Sequence, residues 1–313
     1  MQARDMRKGR WPSYARIVVT KRCSLRCTFC HREGTPESTA GRAMSLPCAE
    51  AVAGALARLG FRKIKLLGGE PLVMAEVVEV VRCLRRAMPT ADLSAISNGA
   101  VEPARLRGCV EAGMNRLNVS VHGWSPEALG HNGGKACHYA WRQENLAWIM
   151  RRALPLKLNY VVSEDSNFED LNGLLSWAAD KPVVVGVLND LNQPGFGSEA
   201  LLALLRELRP GRPVARVEED VDSLSTRRLS WPDGLEVEVK DQRLGAVAPW
   251  RHCDGCPARA RCGEGIFAVR VDPDGALRLC MDRPELRSDA WSPGEGAAAL
   301  AERWGAFIEE ARR

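Results

Sequence analysis

The feature that most constrains this chain is a group of three cysteines close to its start. Cys23, Cys27 and Cys30 lie within residues 20–31 and have the spacing C-x3-C-x2-C. Thiolates this close in sequence can ligate three irons of a cubane iron–sulfur cluster, whose usual ligand set is four cysteines. One iron would then stay open to bind a small molecule. Three neighbouring cysteines can also bind zinc, so the spacing alone leaves both kinds of metal site open.

The composition indicates a globular protein of a reducing compartment. The 313 residues are 45% hydrophobic and 27% charged, which suffices for one large core with an appendage or for two domains. No apolar run approaches the roughly 18 residues of a membrane span. The basic N-terminus lacks the apolar segment of a secretory signal. Eleven cysteines then indicate metal ligands and buried thiols rather than disulfides, and we expect a cytoplasmic protein.

The net charge of +5 is carried mostly by arginine. It suits an anionic small-molecule substrate, although charges spread over this length are also typical of a solvated surface. No block of like charge resembles a nucleic-acid-binding arm. We therefore expect neither nucleic acid nor a membrane among the partners.

Strand-like and helix-like segments alternate along the chain. Apolar, β-branched runs predict six strands at residues 16–20, 63–67, 93–97, 116–122, 156–162 and 183–188. Segments with helical periodicity lie between several of these strands, at residues 47–59, 76–88, 102–112 and 143–153. The alternation predicts a parallel α/β sheet with too few units for a closed eightfold barrel.

Polar residues and glycines follow the ends of these strands. The set comprises Cys23, Gly68, Gly69, Glu70, Ser97, Asn98, Ser120, His122, Asn159, Asn189 and Asp190. In barrel-type α/β folds the carboxyl ends of the strands carry the chemistry. The same residue types are ordinary turn formers, so each of them alone also has a purely structural explanation.

The cysteine loop and a later Gly-Gly-Glu-Pro motif together resemble the radical S-adenosylmethionine (SAM) enzymes. Phe29 stands directly before the third cysteine, and the second motif is Gly68-Gly69-Glu70-Pro71. The resemblance covers residues 13–192 and implies an α/β fold, a partial (β/α)6 barrel. It implies that Cys23, Cys27 and Cys30 hold a catalytic [4Fe–4S] cluster and that SAM binds the open iron.

The resemblance also implies a reaction and a partner. One electron from the cluster cleaves SAM to methionine and a 5′-deoxyadenosyl radical, which takes a hydrogen atom from the substrate. The electron comes from an external donor of the flavodoxin or ferredoxin type. The protein itself positions the reactants and excludes water.

Several residues of these motifs have a chemistry that suits SAM binding. Gly68 and Gly69 let the backbone approach a ligand closely, and Glu70 can accept hydrogen bonds from the SAM ammonium. By motif position, further contacts to SAM are implied for Phe29, Pro71, Ser97, Ser120 and Asn159. Strand-end capping is the alternative role of the polar residues among them.

Within the family, the chain is most similar to the GTP cyclases of molybdopterin biosynthesis. The similar segments are Arg16 to Cys23, Cys30 to Gly34, Asn118 to Ser120 and Lys157 to Val162. This similarity implies that Arg16 and Lys157 face the substrate. Both residues could instead form salt bridges at the surface.

A second group of cysteines follows a change in composition near residue 250. Cys253, Cys256, Cys262 and Cys280 suit either zinc or a cubane cluster. Residues 271–280 have the pattern of a hairpin with a Pro-Asp-Gly turn, which would return Cys280 to the first pair. In this family context we favour an auxiliary [4Fe–4S] cluster in a small Twitch-like extension.

This second group departs from the cyclase pattern. The cyclases have three ligands and an open iron that binds substrate, whereas this chain offers four cysteines and lacks their C-terminal Gly-Gly. A fully ligated cluster would serve electron transfer or structure, so we expect a related enzyme rather than the cyclase itself. The predicted organisation is a barrel at 13–192, a helix and linker at 193–249, and an auxiliary-cluster domain with a terminal helix at 250–313.

Three functions remain open. The first is a radical SAM enzyme for a nucleotide-, nucleoside- or sugar-derived metabolite, in cofactor or natural-product biosynthesis. The second is a peptide-modifying enzyme, although the 22 residues before Cys23 are too few for a leader-binding domain. The third is a non-catalytic iron–sulfur electron-transfer protein, which would have no use for the Gly-Gly-Glu-Pro motif.

The four remaining cysteines are isolated in the sequence. Cys48, Cys83 and Cys109 fall in helical stretches and are expected to be small buried residues. Cys137 is placed in a glycine-rich loop with His131 and His138, where it could contact a substrate.

Overall fold

All the described strands belong to one sheet. A computed structural model describes residues 11–32, 35, 43–163, 166–190, 197–211, 213–218, 226–240, 250–257 and 268–312. The strands are β1 Tyr14–Thr20, β2 Lys63–Gly68, β3 Asp92–Ser97, β4 Arg116–Ser120, β5 Leu156–Val162, β6 Val184–Asn189, β7 Val214–Glu218, β8 Thr226–Ser230, β9 Glu236–Lys240, β10 Val269–Val271 and β11 Leu277–Arg278. Their spatial order is β11-β10-β1-β2-β3-β4-β5-β6-β9-β8-β7.

The first six strands are parallel, and helices connect them. The helices are α1 Leu46–Arg58, α2 Val77–Ala87, α3 Pro103–Glu111, α4 Pro126–His131, α5 Ala136–Arg151, α6 Phe168–Ala178, α7 Ser198–Leu208 and α8 Ala297–Arg312. Sequential neighbours from β1 to β6 pair in parallel. The predicted α/β fold with a partial barrel is therefore confirmed. Among the described helices, none has both the length and the apolar character that a membrane span requires.

Alternate residues of the strands face opposite sides of the sheet. In β1, Ala15 and Ile17 belong to the hydrophobic core that the helices cover. Arg16 lies between them in sequence and therefore points to the inside of the barrel. By the same alternation, Lys65 of β2 and Lys157 of β5 face the interior, because their neighbours in sequence belong to the core.

The sheet continues past β6 into a segment for which the sequence predicts a helix and a linker. Helix α7 is confirmed, but three strands follow it. Strands β7, β8 and β9 form an antiparallel unit, and β9 pairs in parallel with β6. Val237 and Val239 are buried on the core side of β9. Glu236, Glu238 and Lys240, which alternate with these valines, extend the inner wall of the barrel.

Two helices are absent from the sequence prediction, and a third is longer than predicted. Ser125 caps α4 by accepting from the Ala128 backbone N–H at 3.1 Å. Asn167 caps α6 by accepting from the Glu169 backbone N–H at 2.9 Å. Both residue types are strong N-caps, so each helix start carried a local signal. Helix α5 begins at Ala136 rather than at residue 143.

The predicted C-terminal hairpin is confirmed, and it joins the barrel sheet. Strands β10 and β11 are antiparallel, and β10 also pairs in parallel with β1. Asp272 and Arg278 form a fully buried ion pair of 3.0 Å beside the turn, and Arg287 adds a contact to Asp272 at 3.1 Å. Removal of either partner of the buried pair would leave an uncompensated charge. The predicted domain boundaries stay predictions.

Candidate active site

The loop after β1 carries the first three cysteines. Cys23 and Cys30 are exposed and Cys27 is half-buried. Burial raises the pKa of Cys27 to about 12, and Cys30 and Cys23 add to this effect, so the three thiols are electrostatic neighbours. A metal deprotonates such thiols when it binds. Three sulfurs on one accessible loop fit an iron–sulfur cluster, but in the described part of the chain no three Cys, His, Asp or Glu side chains yet converge on one point.

Two glycines let this loop pack directly on the end of β2. A Cβ atom at Gly69 would lie 2.5 Å from the carbonyl oxygen of Arg22 and 2.6 Å from that of Lys21. A Cβ atom at Gly68 would lie 2.3 Å from the carbonyl oxygen of Thr20. None of these three distances is compatible with a side chain. The glycines therefore hold the cysteine loop against the sheet. The approach of a ligand to the same glycines stays a prediction.

Hydrogen bonds fix the first half of the same loop. The Glu70 backbone N–H donates to the Arg22 carbonyl at 2.7 Å. The Asn98 side-chain amide donates to Ser24 Oγ at 3.3 Å, and the Arg26 backbone N–H donates to the Asn132 carbonyl at 2.8 Å. The loop is thus attached to the ends of β2 and β3 and to the loop after α4.

Glu70 is buried at the point where the loop meets β2 and β3. Its carboxylate accepts from the Leu72 backbone N–H at 3.0 Å and from the Asn98 backbone N–H at 2.6 Å. Burial raises the pKa of Glu70 from 4.5 to about 7, against the lowering effect of these bonds and of Ser97. Pro71 starts the short 3-10 turn Pro71–Val73 that Glu70 caps. An ammonium group beside this carboxylate would restore its ionised form.

The polar residues predicted to touch SAM lie along neighbouring strand ends. Ser97 is buried, and its Oγ accepts from the Gly99 backbone N–H at 3.0 Å, which is the capping role left open above. Ser120 of β4 and Asn159 of β5 are partners in register. Both lie on the inner face, because Val119 and Leu158 belong to the core. The structure therefore brings Glu70, Ser97, Ser120 and Asn159 to one edge of the barrel.

Phe29 contacts a histidine that has no assigned role in the sequence analysis. The rings of Phe29 and His122 lie 4.4 Å apart between centroids, edge to face at 64°. Burial, with a contribution from Arg142, lowers the pKa of His122 to about 3, so the imidazole stays neutral. His122 lies two residues after the predicted SAM contact Ser120, at the end of β4. This position at a strand end is the sequence feature that indicates a functional residue.

Arg142 of α5 is a residue of this region that the sequence analysis did not identify. It is fully buried, and one Nη donates to the Trp124 carbonyl at 3.0 Å. Nε and the other Nη have no hydrogen-bond partner within the described residues. Arg142 lies on the same buried face of α5 as Asn145, Leu146 and Ile149. The sequence did contain a signal for Arg142, because it places an arginine on the apolar face of a helix. A polar group buried there requires a hydrogen-bond partner, and a ligand can be that partner.

The inner wall formed by β1 to β4 is strongly cationic. Arg16 and Lys65 are partners in register, as are Ser94 and Arg116 further along the same row. Lys65 is 8% exposed. Burial lowers the pKa of Lys65 well below its usual value, and the neighbouring charges of Arg116 and Arg16 lower it further. The predicted substrate residue Arg16 therefore belongs to a group of inward cations.

The other predicted substrate residue, Lys157, forms an ion pair across a strand. Its ammonium lies 2.8 Å from the Glu238 carboxylate of β9, and Arg228 of β8 approaches the same carboxylate to 3.6 Å. Gly186 of β6 lies between them, and a Cβ atom there would lie 2.6 Å from Lys157 Cε. Lys157 therefore forms a salt bridge, which was the alternative to a substrate contact, but the salt bridge lies inside the barrel rather than on its surface.

The second group of cysteines lies beside the C-terminal hairpin. Cys253, Cys256 and Cys280 are half-buried, whereas Cys262 lies outside the described residues. Arg283 donates to the His252 carbonyl at 2.9 Å. The pKa of Arg283 is raised first by its hydrogen bond to Glu285 and, more weakly, by the charges of Cys256 and Cys280. The hairpin therefore returns Cys280 to the neighbourhood of Cys256.

The isolated cysteines behave largely as predicted. Cys48, Cys83 and Cys109 are buried in α1, α2 and α3. Cys137 is exposed, but it lies in the first turn of α5 rather than in a loop.

Comparisons with known proteins identify relatives of the chain. A sequence model of the Radical SAM superfamily matches residues 17–178, more than half of the chain. The chain is 26% identical over 285 residues to a probable GTP 3′,8-cyclase of Thermoplasma volcanium, covering 88% of this chain and 80% of that protein. It is 27% identical over 310 residues to the GTP 3′,8-cyclase of Nitrobacter hamburgensis, covering 91% and 84%.

Solved structures share the fold at low sequence identity. Streptococcus suis SuiB bound to S-adenosylmethionine superposes with a TM-score of 0.64 at 12% identity, covering 96% of this chain and 68% of SuiB. The protein anSMEcpe with bound AdoMet superposes with a TM-score of 0.59 at 14% identity, covering 96% and 84%. At these identities the likeness concerns the fold alone.

Proposed function

Because the chain belongs to the radical SAM superfamily and is a SAM-dependent enzyme, we propose that its substrate is an anionic nucleotide or a related nucleoside- or sugar-derived metabolite. The observation that carries the proposal is the cationic inner wall of β1 to β4. The GTP 3′,8-cyclases to which the chain is similar act, by their name, on GTP, a substrate of this class. A role in cofactor or natural-product biosynthesis follows from the same similarity.

The charge balance of that wall favours a phosphate-bearing ligand. Arg16, Lys63, Lys65 and Arg116 share the inner face, and among the described inward residues of β1 to β4 the one carboxylate is Asp92, which pairs with Arg116 at 2.7 Å. Concentrated cations in a partly desolvated cavity repel one another. A polyphosphate relieves this repulsion and forms charge-assisted hydrogen bonds.

The opposite wall supports a polar, uncharged part of the same substrate. Two carboxylates, Glu238 and Glu236, lie against Lys157 and Arg228, so this side of the barrel adds little net charge. A neutral sugar or base is compatible with such a wall, whereas a second polyanion is repelled by Glu238. The substrate would therefore lie with its phosphates towards β1 and β2.

The remaining site assignments belong to the same proposal. Cys23, Cys27 and Cys30 hold the catalytic cluster, and Glu70 with Phe29, Gly68, Gly69, Pro71, Ser97, Ser120 and Asn159 form the SAM site. Arg142 adds two buried donor nitrogens, Nε and one Nη, at this edge, and they suit a carboxylate of bound SAM. The cluster, when bound, supplies the electron that cleaves SAM. Cys253, Cys256, Cys262 and Cys280 hold a second [4Fe–4S] cluster.

An anaerobic assay tests the substrate class. The protein is reconstituted with iron and sulfide and reduced, and 5′-deoxyadenosine is quantified with and without a pool of nucleotides, nucleosides and sugar nucleotides. Stimulation by the pool is expected, and successive division of the pool identifies the substrate. An unchanged rate with every fraction would contradict the proposal.

A binding measurement tests the cationic wall directly. Calorimetry with GTP compares the wild type with Lys65→Met and with Arg62→Met, a matched loss of charge at an exposed position next to β2. Lys65→Met is expected to weaken binding by about tenfold, and Arg62→Met to leave it unchanged. Equal affinities of all three proteins for GTP would show that the cationic wall does not bind the substrate.

A further inference from the structure

The chain leaves the sheet after β4 and then approaches the cysteine loop. Val121 still bonds to the sheet, since its backbone N–H donates to the Asn159 carbonyl at 2.8 Å. Residues 122–132, which follow, form a turn and helix α4, and we refer to them as the β4–α4 segment. Because this segment lies outside the strands, contacts with helices and loops must fix its position.

Both ends of the β4–α4 segment contact the cysteine loop. At its start, the ring of His122 packs edge to face with Phe29, with 4.4 Å between the centroids. At its end, the Asn132 carbonyl accepts from the Arg26 backbone N–H at 2.8 Å. Asn132 also joins the two ends, because its side-chain amide donates to the His122 carbonyl at 3.0 Å. A shift of the segment would therefore disturb both halves of the cysteine loop.

A single carboxylate of α6 holds the middle of the β4–α4 segment. Asp170 is 6% exposed, and its two oxygens accept from the Trp124 backbone N–H at 2.5 Å and from the Ser125 backbone N–H at 2.8 Å. Arg142 of α5 donates to the Trp124 carbonyl at 3.0 Å. Hydrogen bonds to an ionised group are stronger than those between neutral groups. Two helices therefore hold Trp124, one through its N–H and one through its carbonyl.

The support behind Asp170 is itself well anchored. Asp170 lies in the first turn of α6, where Asn167 Oδ1 accepts from its backbone N–H at 3.3 Å. Leu171 and Leu174 of the same helix belong to the hydrophobic core. The carboxylate thus extends from a packed helix to a segment that lies outside the sheet.

We propose that Asp170 is a positioning residue for the loop that holds the catalytic cluster. Its carboxylate fixes Trp124 and Ser125, and the β4–α4 segment in turn fixes Phe29 and Arg26 beside the cysteines. The proposal rests on the proposed function only in taking this loop as the site of the cluster and SAM. Loss of the Asp170 carboxylate should therefore loosen the cysteine loop from a distance, largely through His122.

Stabilisation of α4 alone is the competing role for Asp170. Ser125 caps this helix by accepting from the Ala128 backbone N–H at 3.1 Å, and Asp170 binds the backbone of the same residue. A carboxylate with only that role would affect the free energy of unfolding without a selective effect on the cysteine loop. The two roles therefore differ in what happens to residues 21–32.

The first test is made on the cluster-free protein. Hydrogen–deuterium exchange of residues 21–32 and 122–132 is measured for the wild type, Asp170→Asn and Asp170→Glu. Glu169→Gln is the matched control, because it changes the adjacent, exposed carboxylate of α6. Ser45→Ala is a control for stability, because it removes the side chain that accepts from the Cys48 backbone N–H at the start of α1.

Both segments are expected to exchange about fivefold faster in Asp170→Asn, since the loss of a hydrogen bond changes a local opening equilibrium by this order. Asp170→Glu keeps the charge but moves the carboxylate by one methylene, and it should show the same pattern to a smaller extent. Glu169→Gln and Ser45→Ala should leave residues 21–32 as in the wild type. Unchanged exchange of residues 21–32 in both Asp170 variants, or an equal increase in Ser45→Ala, would overturn the proposal.

The second test asks whether Asp170 acts through His122. SAM affinity is measured on the reconstituted protein for Asp170→Asn, His122→Ala and the double variant. Asp170→Asn should weaken SAM binding by about fivefold, the size of a lost aromatic contact. The loss in the double variant should be smaller than the product of the single losses, because the two residues share one route. Independent losses would contradict this route. The exchange measurement needs neither cluster nor substrate, so its failure would leave the proposed function standing.

Discussion

The rings of Phe29 and His122 pack edge to face, with their centroids 4.4 Å apart. This contact joins the second half of the cysteine loop to the end of β4, where Ser120 lies two residues earlier. The first half of the loop is held by backbone hydrogen bonds. Both cysteines of the second half, Cys27 and Cys30, flank Phe29 and therefore depend on where its ring is held.

Replacement of His122 should separate packing from chemistry. His122→Ala removes an aromatic contact of about 0.5–1.5 kcal/mol, so SAM affinity should fall by about 2- to 12-fold. His122→Phe keeps an aromatic ring and should stay within about twofold of the wild type. Affinity for SAM and the electron paramagnetic resonance of the reduced cluster, with and without SAM, measure both effects. If His122→Phe is as impaired as His122→Ala, the imidazole nitrogen matters more than the ring contact.

The raised pKa of Glu70 predicts how stability depends on pH. The native pKa of about 7 exceeds the usual value of 4.5, so ionisation of this carboxyl disfavours the folded state. The free energy of unfolding of the SAM-free protein should therefore decrease as pH rises from about 4.5 to 7, and level off above. The Glu70→Gln variant should lack this pH-dependent decrease in the free energy of unfolding. Urea titrations of both proteins across this range give the comparison, and identical pH dependence would contradict the prediction.

The ion pair between Lys157 and Glu238 should contribute to stability. Both side chains keep some exposure, 22% and 14%, so Glu238→Gln should cost about 1–3 kcal/mol rather than the full cost of a buried charge. Lys157→Met in the same protein should recover part of that loss, because it removes the uncompensated ammonium. A double-mutant cycle by urea unfolding measures the coupling. Additive losses would show that the two residues act independently.

Gly69 should tolerate no side chain. Gly69→Ala places a Cβ atom within 2.6 Å of two carbonyl oxygens of the cysteine loop, so the loop must move and iron retention should fall. Gly130→Ala is the matched control, because its Cβ atom meets nothing within 4 Å. Iron content after reconstitution and gel filtration compares the two variants. Equal iron in both would mean that the loop adapts without loss.

The two groups of cysteines should be distinguishable by their metal content. Reconstituted wild-type protein should hold about eight iron atoms, and Cys23→Ala and Cys256→Ala each about four. Cys23→Ala should abolish SAM cleavage, whereas Cys256→Ala should retain cleavage without substrate. Zinc in place of iron at the second group, or unchanged SAM cleavage in Cys23→Ala, would contradict these assignments.

The barrel was predictable because each of its signals is local. The strand at Leu156–Val162 is rich in leucine and valine. Gly113, with φ of 114°, follows α3 in the left-handed region, as its place after a helical pattern suggests. The clustering of Glu70, Ser97, Ser120 and Asn159 also followed from local information. All parallel strands of such a sheet present their carboxyl ends at one edge.

The strands from β7 to β9 could not be placed from the sequence in the same way. Glu236–Lys240 alternates charged and apolar residues, which fits a half-exposed strand at any sheet edge. Nothing local specifies β6 as the partner of β9. Glu238 was missed for this reason, since its proximity to Lys157 depends on that pairing. The packing of Gly69 on the cysteine loop was not predicted, because its contact is with backbone atoms, which leave no signal in the neighbouring side chains.

Because β1 pairs with β10, the sheet cannot be completed until late in the synthesis of the chain. Ala15 pairs with Val269, so a strand made early acquires one of its two neighbours only when the last part of the described chain has left the ribosome. Contacts this distant in sequence slow folding through the entropy of loop closure. The nascent cysteine loop would therefore stay attached to a strand with one open edge during most of translation. Iron delivery is expected to be productive after, rather than during, synthesis of the chain.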